Sequence, residues 1–188
     1  PHAHAIIKSI DASKALALPG VRAVVSGQDL PVAADRAVEP GEMSLNFMEL
    51  SDNILAGEKV LYRGHAVAAL AADTAHIAEE ALALIEVNYE VLTPVLDGRK
   101  AMNSSTPLVH PDQTTKIQAF WFDPGRDTGV KSNVAGKTEL KLGDIEAGFK
   151  EADVVVEREF STSWVHQGYI EPQNGTAWWS PEGQVPIW

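Results

Sequence analysis

Residues 75–85 hold the segment that most restricts the fold. Ile77, Ala78, Ala81, Leu82 and Ile85 recur at helical spacing on one face, while Glu79 and Glu80 fall on the face toward water. A helix with one apolar stripe has to lay it against another apolar surface. Asp73 or Thr74 stands where a side-chain oxygen caps the first turn. The flanking residues offer the surface. Residues 66–72 form an apolar run that reads as a buried strand, and residues 87–95 alternate Val87, Tyr89 and Val91 with the two-residue period of another. An α/β protein follows.

The first residues repeat this logic. Residues 3–11 turn apolar through Ile6, Ile7 and Ile10 and read as a strand. Residues 11–18 read as a short helix whose free N–H groups Asp11 can cap and which Pro19-Gly20 stops. Residues 21–26 are a second strand, closed by Gly27. From 28 to 53 the period dissolves around Pro31, Pro40 and Gly41, which predicts a long loop that is functional or packs on another domain. Regular structure resumes at Lys59-Val60-Leu61-Tyr62.

The character changes near Asn103. Residues 103–131 carry Pro107, Pro111 and Pro124 without a sustained period and read as an irregular linker. Phe120-Trp121-Phe122 lies inside it; such rings are costly to leave in water, so the linker is expected to lie on a protein surface. A second structured part begins near Asn133, with a strand over 135–142 and a helix capped by Asp144. Ile145 and Phe149 share a face of that helix, and Glu146 and Lys150 have the spacing of an i,i+4 ion pair. Residues 153–165 alternate Val154, Val156, Arg158, Phe160 and Thr162 as a long β segment. A hairpin is expected between 176–179 and 185–188, turned at Ser180-Pro181-Glu182-Gly183. Trp178, Trp179 and Trp188 crowd that hairpin. A two-stranded unit is marginal alone, so this part reads as unfinished.

Composition removes several function classes. With 188 residues, 45% hydrophobic and 22% charged, the chain has the make-up of an ordinary folded protein rather than a disordered one. No apolar run is long enough to cross a membrane as a helix, and the opening residues lack the pattern of a signal peptide. The absent initiator Met suggests a processed, tagged or excised chain. Zero cysteines exclude disulfides, thiolate nucleophiles and iron–sulfur ligation within these residues, and suit a reducing, cytoplasmic setting. A net charge of -11 and a pI near 4.9 argue against nucleic-acid binding.

The chemistry-bearing motifs are few. There is no phosphate-cradling glycine loop and no nucleophile elbow. His2 and His4 lie on one face of a strand, a pair able to ligate a metal but without a third ligand; the plainer reading is a strand-end pair. His65, directly after Gly64, reads as a hydrogen-bonded structural histidine, and His76 and His110 have no special partner in sequence. The densest polar segment is His166-Gln167-Gly168-Tyr169-Ile170-Glu171-Pro172-Gln173-Asn174. It is either the lining of a polar pocket or a bend whose side chains satisfy the backbone.

An ordered set of short stretches resembles the large subunit of the molybdenum hydroxylases, the group of xanthine dehydrogenase, aldehyde oxidase, carbon monoxide dehydrogenase and 4-hydroxybenzoyl-CoA reductase. It starts with Pro1-His2-Ala3-His4-Ala5, Ile10-Asp11 and Leu18-Pro19-Gly20-Val21. Tyr62-Arg63-Gly64-His65-Ala66-Val67-Ala68, Ala71-Ala72-Asp73 and Glu86-Val87-Asn88-Tyr89-Glu90 follow. Ser132-Asn133-Val134-Ala135, Ala152-Asp153-Val154-Val155-Val156-Glu157 and His166-Gln167-Gly168-Tyr169-Ile170-Glu171-Pro172 complete it.

The resemblance implies an α+β protein: an α/β hammerhead domain over 1–102, the linker over 103–131, and over 132–188 the incomplete beginning of a mixed α/β molybdenum-cofactor-binding domain. It implies part of an oxidoreductase that hydroxylates or dehydrogenates aldehydes, purines, aromatic heterocycles or related small molecules, with molybdenum-molybdopterin in the full-length subunit. The expected partners are the remainder of that subunit and iron–sulfur and FAD subunits or domains in an oligomeric enzyme. No catalytic, cofactor-binding or metal-binding residue is carried over, because the family's own motifs for those roles have no counterpart here. The chain alone is therefore expected to bind no cofactor and to serve as scaffold and interface. A stand-alone assembly module binding through the hammerhead face and Phe120-Trp121-Phe122 is the alternative. A small hydrolase built on His166 and Glu171 is a further one.

Overall fold

In the computed structural model of this protein, which describes residues 1–31, 34, 37–38, 45–118, 125–140, 142–172 and 174–188, the apolar start forms β1 (Ala5–Asp11). Then come α1 (Ser13–Leu16), β2 (Val21–Ser26), β3 (Ala37–Val38), β4 (Leu45–Asn46), α2 (Phe47–Ile54) and β5 (Lys59–Val60). The series continues through β6 (Ala68–Ala72), α3 (Ala75–Leu82), β7 (Glu86–Val91), α4 (Gly98–Ala101), β8 (Lys116–Gln118), β9 (Arg126–Asp127) and β10 (Gly136–Thr138). These belong to one unit, Pro1–Lys141; a second, Leu142–Trp188, contains α5 (Ile145–Glu151).

The core of the first unit sits on a three-stranded antiparallel sheet in the order β5-β1-β7. Strict alternation along β1 would send Ile7 and Ile10 to opposite faces. The register instead shifts between Ile7 and Ser9, and Ile10 comes round to pack beside Val87 against buried Ala5, Ile7, Ala56 and Val60. A bulge adds one residue and so reverses the parity of the strand.

A second antiparallel pair, β2 with β6, carries the amphipathic helix. Ala81 of α3 and Ala15 of α1 are fully buried there. Thr74 caps α3 by accepting from the Ile77 N–H at 3.2 Å. Asp73, the other candidate cap, accepts from Arg22 Nε and Nη2 at 2.7 and 3.0 Å. Asp11 accepts from the Ser13 N–H at 2.9 Å at the start of α1. Gly20 then reverses the backbone at φ 93°, and a β-carbon there would meet Ile77 at 2.7 Å.

The structure departs from the sequence reading in definite places. The stretch 28–53 ends in most of α2, which is capped by Asn46, whose Oδ1 accepts from the Met48 and Glu49 N–H groups at 2.9 and 3.3 Å. That cap and the Phe47, Leu50, Ile54 spacing are local signals of a helix. Pro40 and Gly41 lie outside the described residues. The run 66–72 is the half-buried β6, not a buried strand, because its alanines alternate between partly covered and exposed. The helix of 75–85 stops at Leu82, and the strand of 87–95 stops at Val91. Two short strands, β8 and β9, lie within 103–131; β8 pairs parallel with β10 and antiparallel with β9. Phe120-Trp121-Phe122 is outside the described residues.

In the second unit, Asp144 Oδ1 accepts from the Ala147 N–H at 3.0 Å and caps α5 as expected. The Glu146–Lys150 ion pair does not form, a small loss for two exposed charges. Residues 153–165 are not a strand: among the described residues they have no ladder partner, and alternation alone cannot make one. The hairpin is present. Thr176 and Trp188 exchange two backbone hydrogen bonds of 2.9 Å, Ala177 bridges Ile187, and Ser180 N–H donates to the Gln184 carbonyl at 2.8 Å.

Candidate functional site

In the polar segment 166–174 the described residues turn through a bend at Ile170 and Glu171. Gly168, at φ 72°, turns its N–H back to His166 Nδ1 at 2.9 Å. Because Nδ1 accepts, the neutral ring carries its proton on Nε2. Tyr169 packs edge-on to that ring at 6.3 Å between centroids. His166, Gln167, Tyr169, Glu171 and Asn174 are all exposed, and Gln173 lies outside the described residues. Of the two readings of this segment, the observed bonds match the bend that satisfies its own backbone. Among the described residues no bond joins His166 to Glu171.

The histidines of the first unit separate by environment. His65 is 7% exposed, accepts from the Leu61 N–H at Nδ1 (3.2 Å) and donates from Nε2 to the Asp52 carbonyl (2.7 Å). It is the structural histidine that its place after Gly64 predicts. His2 packs edge-on against Tyr89, whose phenol burial pushes up in pKa. His4 is buried with Nδ1 at 3.1 Å from the Thr93 carbonyl oxygen, which can only accept. Its Nε2 has no partner among the described residues. His2 and His4 are not joined by a third ligand: among the described residues no group of three His, Asp or Glu side chains could hold a metal ion.

His110 lies in the loop before β8. Loss of solvent around its ring lowers its pKa, assisted by Lys59 and His4 and opposed by Glu49 and Asp52. Lys59 donates to the neighbouring Val109 carbonyl, and Asn133 Oδ1 accepts from the Val109 N–H at 2.9 Å. Asn133 Nδ2 also donates to the carbonyls of Pro107 (3.0 Å) and Ala101 (3.3 Å). One amide thus ties three points of an irregular loop. The sequence marks Asn133 only as part of Ser132-Asn133-Val134-Ala135, since nothing local shows the role of a side chain whose partners lie 24 to 32 residues away.

The most conspicuous surface is apolar. In the second unit Ile145, Gly148, Phe149, Ala152, Val154, Val155 and Val156 line an open depression of about 310 Å³. Of the lining residues Val154 is 77% exposed, and Phe160, farther along the same segment, is 86% exposed; the segment belongs to no strand among the described residues. Contiguous exposed apolar surface of this kind marks places where a protein meets other protein, a membrane or a ligand.

Residues 1–93 fit the model of the aldehyde oxidase and xanthine dehydrogenase a/b hammerhead domain, and residues 127–188 fit that of a molybdopterin cofactor-binding domain. The chain is 35% identical over 185 residues to a protein of Escherichia coli O157:H7 named as a probable hypoxanthine oxidase, covering 89% of the chain and 19% of that protein. It is 30% identical over 184 residues to the nicotinate dehydrogenase large molybdopterin subunit of Eubacterium barkeri, covering 98% of the chain and 37% of that subunit. The aldehyde oxidoreductase of Desulfovibrio gigas shares the fold over 99% of the chain and 19% of its own length, with a TM-score of 0.67 and 24% identity. The chain thus spans well under half the length of these relatives. Among the described residues no helix is long and apolar enough to cross a membrane.

Proposed function

Since the chain belongs to the aldehyde oxidase and xanthine dehydrogenase family of molybdenum hydroxylase large subunits, we propose that it acts as scaffold and interface within such a subunit. The enzyme is a molybdopterin-dependent oxidoreductase acting on aldehydes, purines, aromatic heterocycles or related small molecules. Residues 1–102 act as the hammerhead domain, 103–131 as the connection, and 132–188 as the opening of the cofactor-binding domain. Iron–sulfur and FAD subunits or domains accept the electrons, in a cytoplasmic oligomer. The observation that supports this reading is the exposed apolar face of the second unit. Each large side chain there is worth about 1.5–3 kcal/mol once covered, so the surface is suited to packing under further protein.

In this reading the residues do not hold molybdopterin by themselves. A pterin needs buried donors and acceptors to hold it, whereas the described polar side chains of 166–174 are exposed. No chemical step is assigned to them. The test is metal and pterin analysis of the chain purified from a host that makes molybdopterin. The chain alone should carry neither, and stoichiometric molybdenum on it would overturn the scaffold reading. Co-expressed with the remaining large-subunit sequence of a relative, it should assemble into a complex that Phe149→Asp and Val154→Asp weaken. Undiminished assembly by both variants would remove the apolar face from the argument.

A further inference from the structure

We propose that Asn174 is a site of spontaneous covalent modification, at which the backbone nitrogen of Gly175 attacks the side-chain amide and converts it to aspartate and isoaspartate. The attacking nitrogen gives up its proton and forms a bond to Asn174 Cγ. The Cγ–Nδ2 bond of the asparagine breaks, and ammonia leaves with the proton. Water then adds to either carbonyl of the cyclic imide. Opening on one side gives aspartate, and opening on the other gives isoaspartate, in which the backbone runs through the former side chain. Nothing is oxidised or reduced, and water is the only co-reactant.

The surroundings of the six asparagines single this one out. Asn46 caps α2, and Asn53, within α2, donates to the Glu49 carbonyl at 3.1 Å. Asn88 lies within β7, and Asn133 makes three hydrogen bonds. Asn103 sits in the turn after α4, but Ser104 follows it and its β-carbon restricts the approach. Asn174 alone precedes a glycine. It is exposed, lies outside any helix or strand, and among the described residues makes one long contact, 3.4 Å to the Pro172 carbonyl. Among the described residues the Gly175 N–H has no acceptor, so the nucleophile is not tied up.

The position gives the change a structural consequence. Two residues on, Thr176 and Trp188 exchange the bonds that close the hairpin. Isoaspartate inserts an extra methylene into the backbone at its entrance, and either product adds a negative charge to a protein already at -11.

The experiment is incubation of the 188-residue protein in mildly alkaline buffer, followed by peptide mass spectrometry and isoaspartyl methyltransferase labelling. Asn174 should convert ahead of the other five asparagines. A β-carbon at residue 175 would meet only the Trp188 carbonyl oxygen, at 3.6 Å, so Gly175→Ala keeps the hairpin. It should slow conversion about tenfold, the effect of a modest conformational penalty on a rate. Asn174→Gln should abolish the signal at this position. Conversion of Asn174 no faster than that of Asn103, or a rate unmoved by Gly175→Ala, would overturn the proposal.

Discussion

His65 joins two elements through one ring: its Nε2 donates to the Asp52 carbonyl at 2.7 Å, near the end of α2, while its Nδ1 takes the Leu61 N–H just past β5. Tyr62 stacks on it at 4.5 Å. His65→Ala removes packing and leaves a buried donor and acceptor unmet, so a loss of about 2–4 kcal/mol is expected in urea unfolding. A variant within about 0.5 kcal/mol of the parent would show that the ring is dispensable.

Gly27 passes directly beneath the Ala56–Gly57 backbone. A β-carbon there would overlap the Ala56 carbonyl oxygen and lie 2.9 Å from Gly57 Cα. Backbone atoms have no free rotor by which to move aside. Gly27→Ala should cost about 1–3 kcal/mol, whereas Gly57→Ala, with nothing within 4 Å of the new methyl, should be close to neutral. Paired denaturation curves check this; equal shifts for the two would contradict it.

Asn133→Ala should release the loop before β8. Val109 N–H and the carbonyls of Ala101 and Pro107 lose their shared partner, at a cost of about 1–3 kcal/mol. Hydrogen exchange at Val109 reads the change locally. Asn133→Asp should fare no better, because a carboxylate cannot donate to the two carbonyls.

Stability should fall on acidification in two stages. Loss of solvent, with Lys59 and His4 assisting, depresses the folded pKa of His110. Its unfolded form therefore takes up a proton first, and stability begins to fall below about pH 6.5. The carboxyls of Asp11, Asp29, Asp97 and Asp127 are also held below their ordinary range. Asp11 is lowered by Ser13, Asp29 by the Ser26 N–H and hydroxyl, Asp97 chiefly by the Lys100 N–H, and Asp127 by Thr114 and then the Gly129 N–H. Their contribution is complete above about pH 4 and lost as pH falls through the lowered folded values. Thermal melts across this range check the sign; a midpoint that rises on acidification would contradict it. His110→Gln should remove the first stage and leave the second.

Much of the fold was legible because its signals are local. The α3 stripe, the Asp144 cap of α5 and the turn at Ser180-Pro181-Glu182-Gly183 each lie within a few residues of what they control, whereas α1 ends at Leu16, ahead of the expected stop at Pro19-Gly20. The structural role of His65 was legible from its place after Gly64, although its partners were not. The helix α2 was missed because the breakers around Pro40 and Gly41 masked a short capped segment just beyond them.

The sequence by itself determined the family and those elements that periodicity or a cap marks locally, such as α3 and α5, since ordered motifs, periodicity and caps are properties of neighbouring residues. Only the tertiary structure decided what depends on distant partners. It showed the bulge that returns Ile10 to the core, the choice of Thr74 over Asp73 as cap once Arg22 claims the carboxylate, and the three bonds of Asn133. It also showed that residues 153–165 are not a strand among the described residues. Alternation can prepare a strand, but a ladder needs a second backbone beside it, and no run of residues carries that information alone.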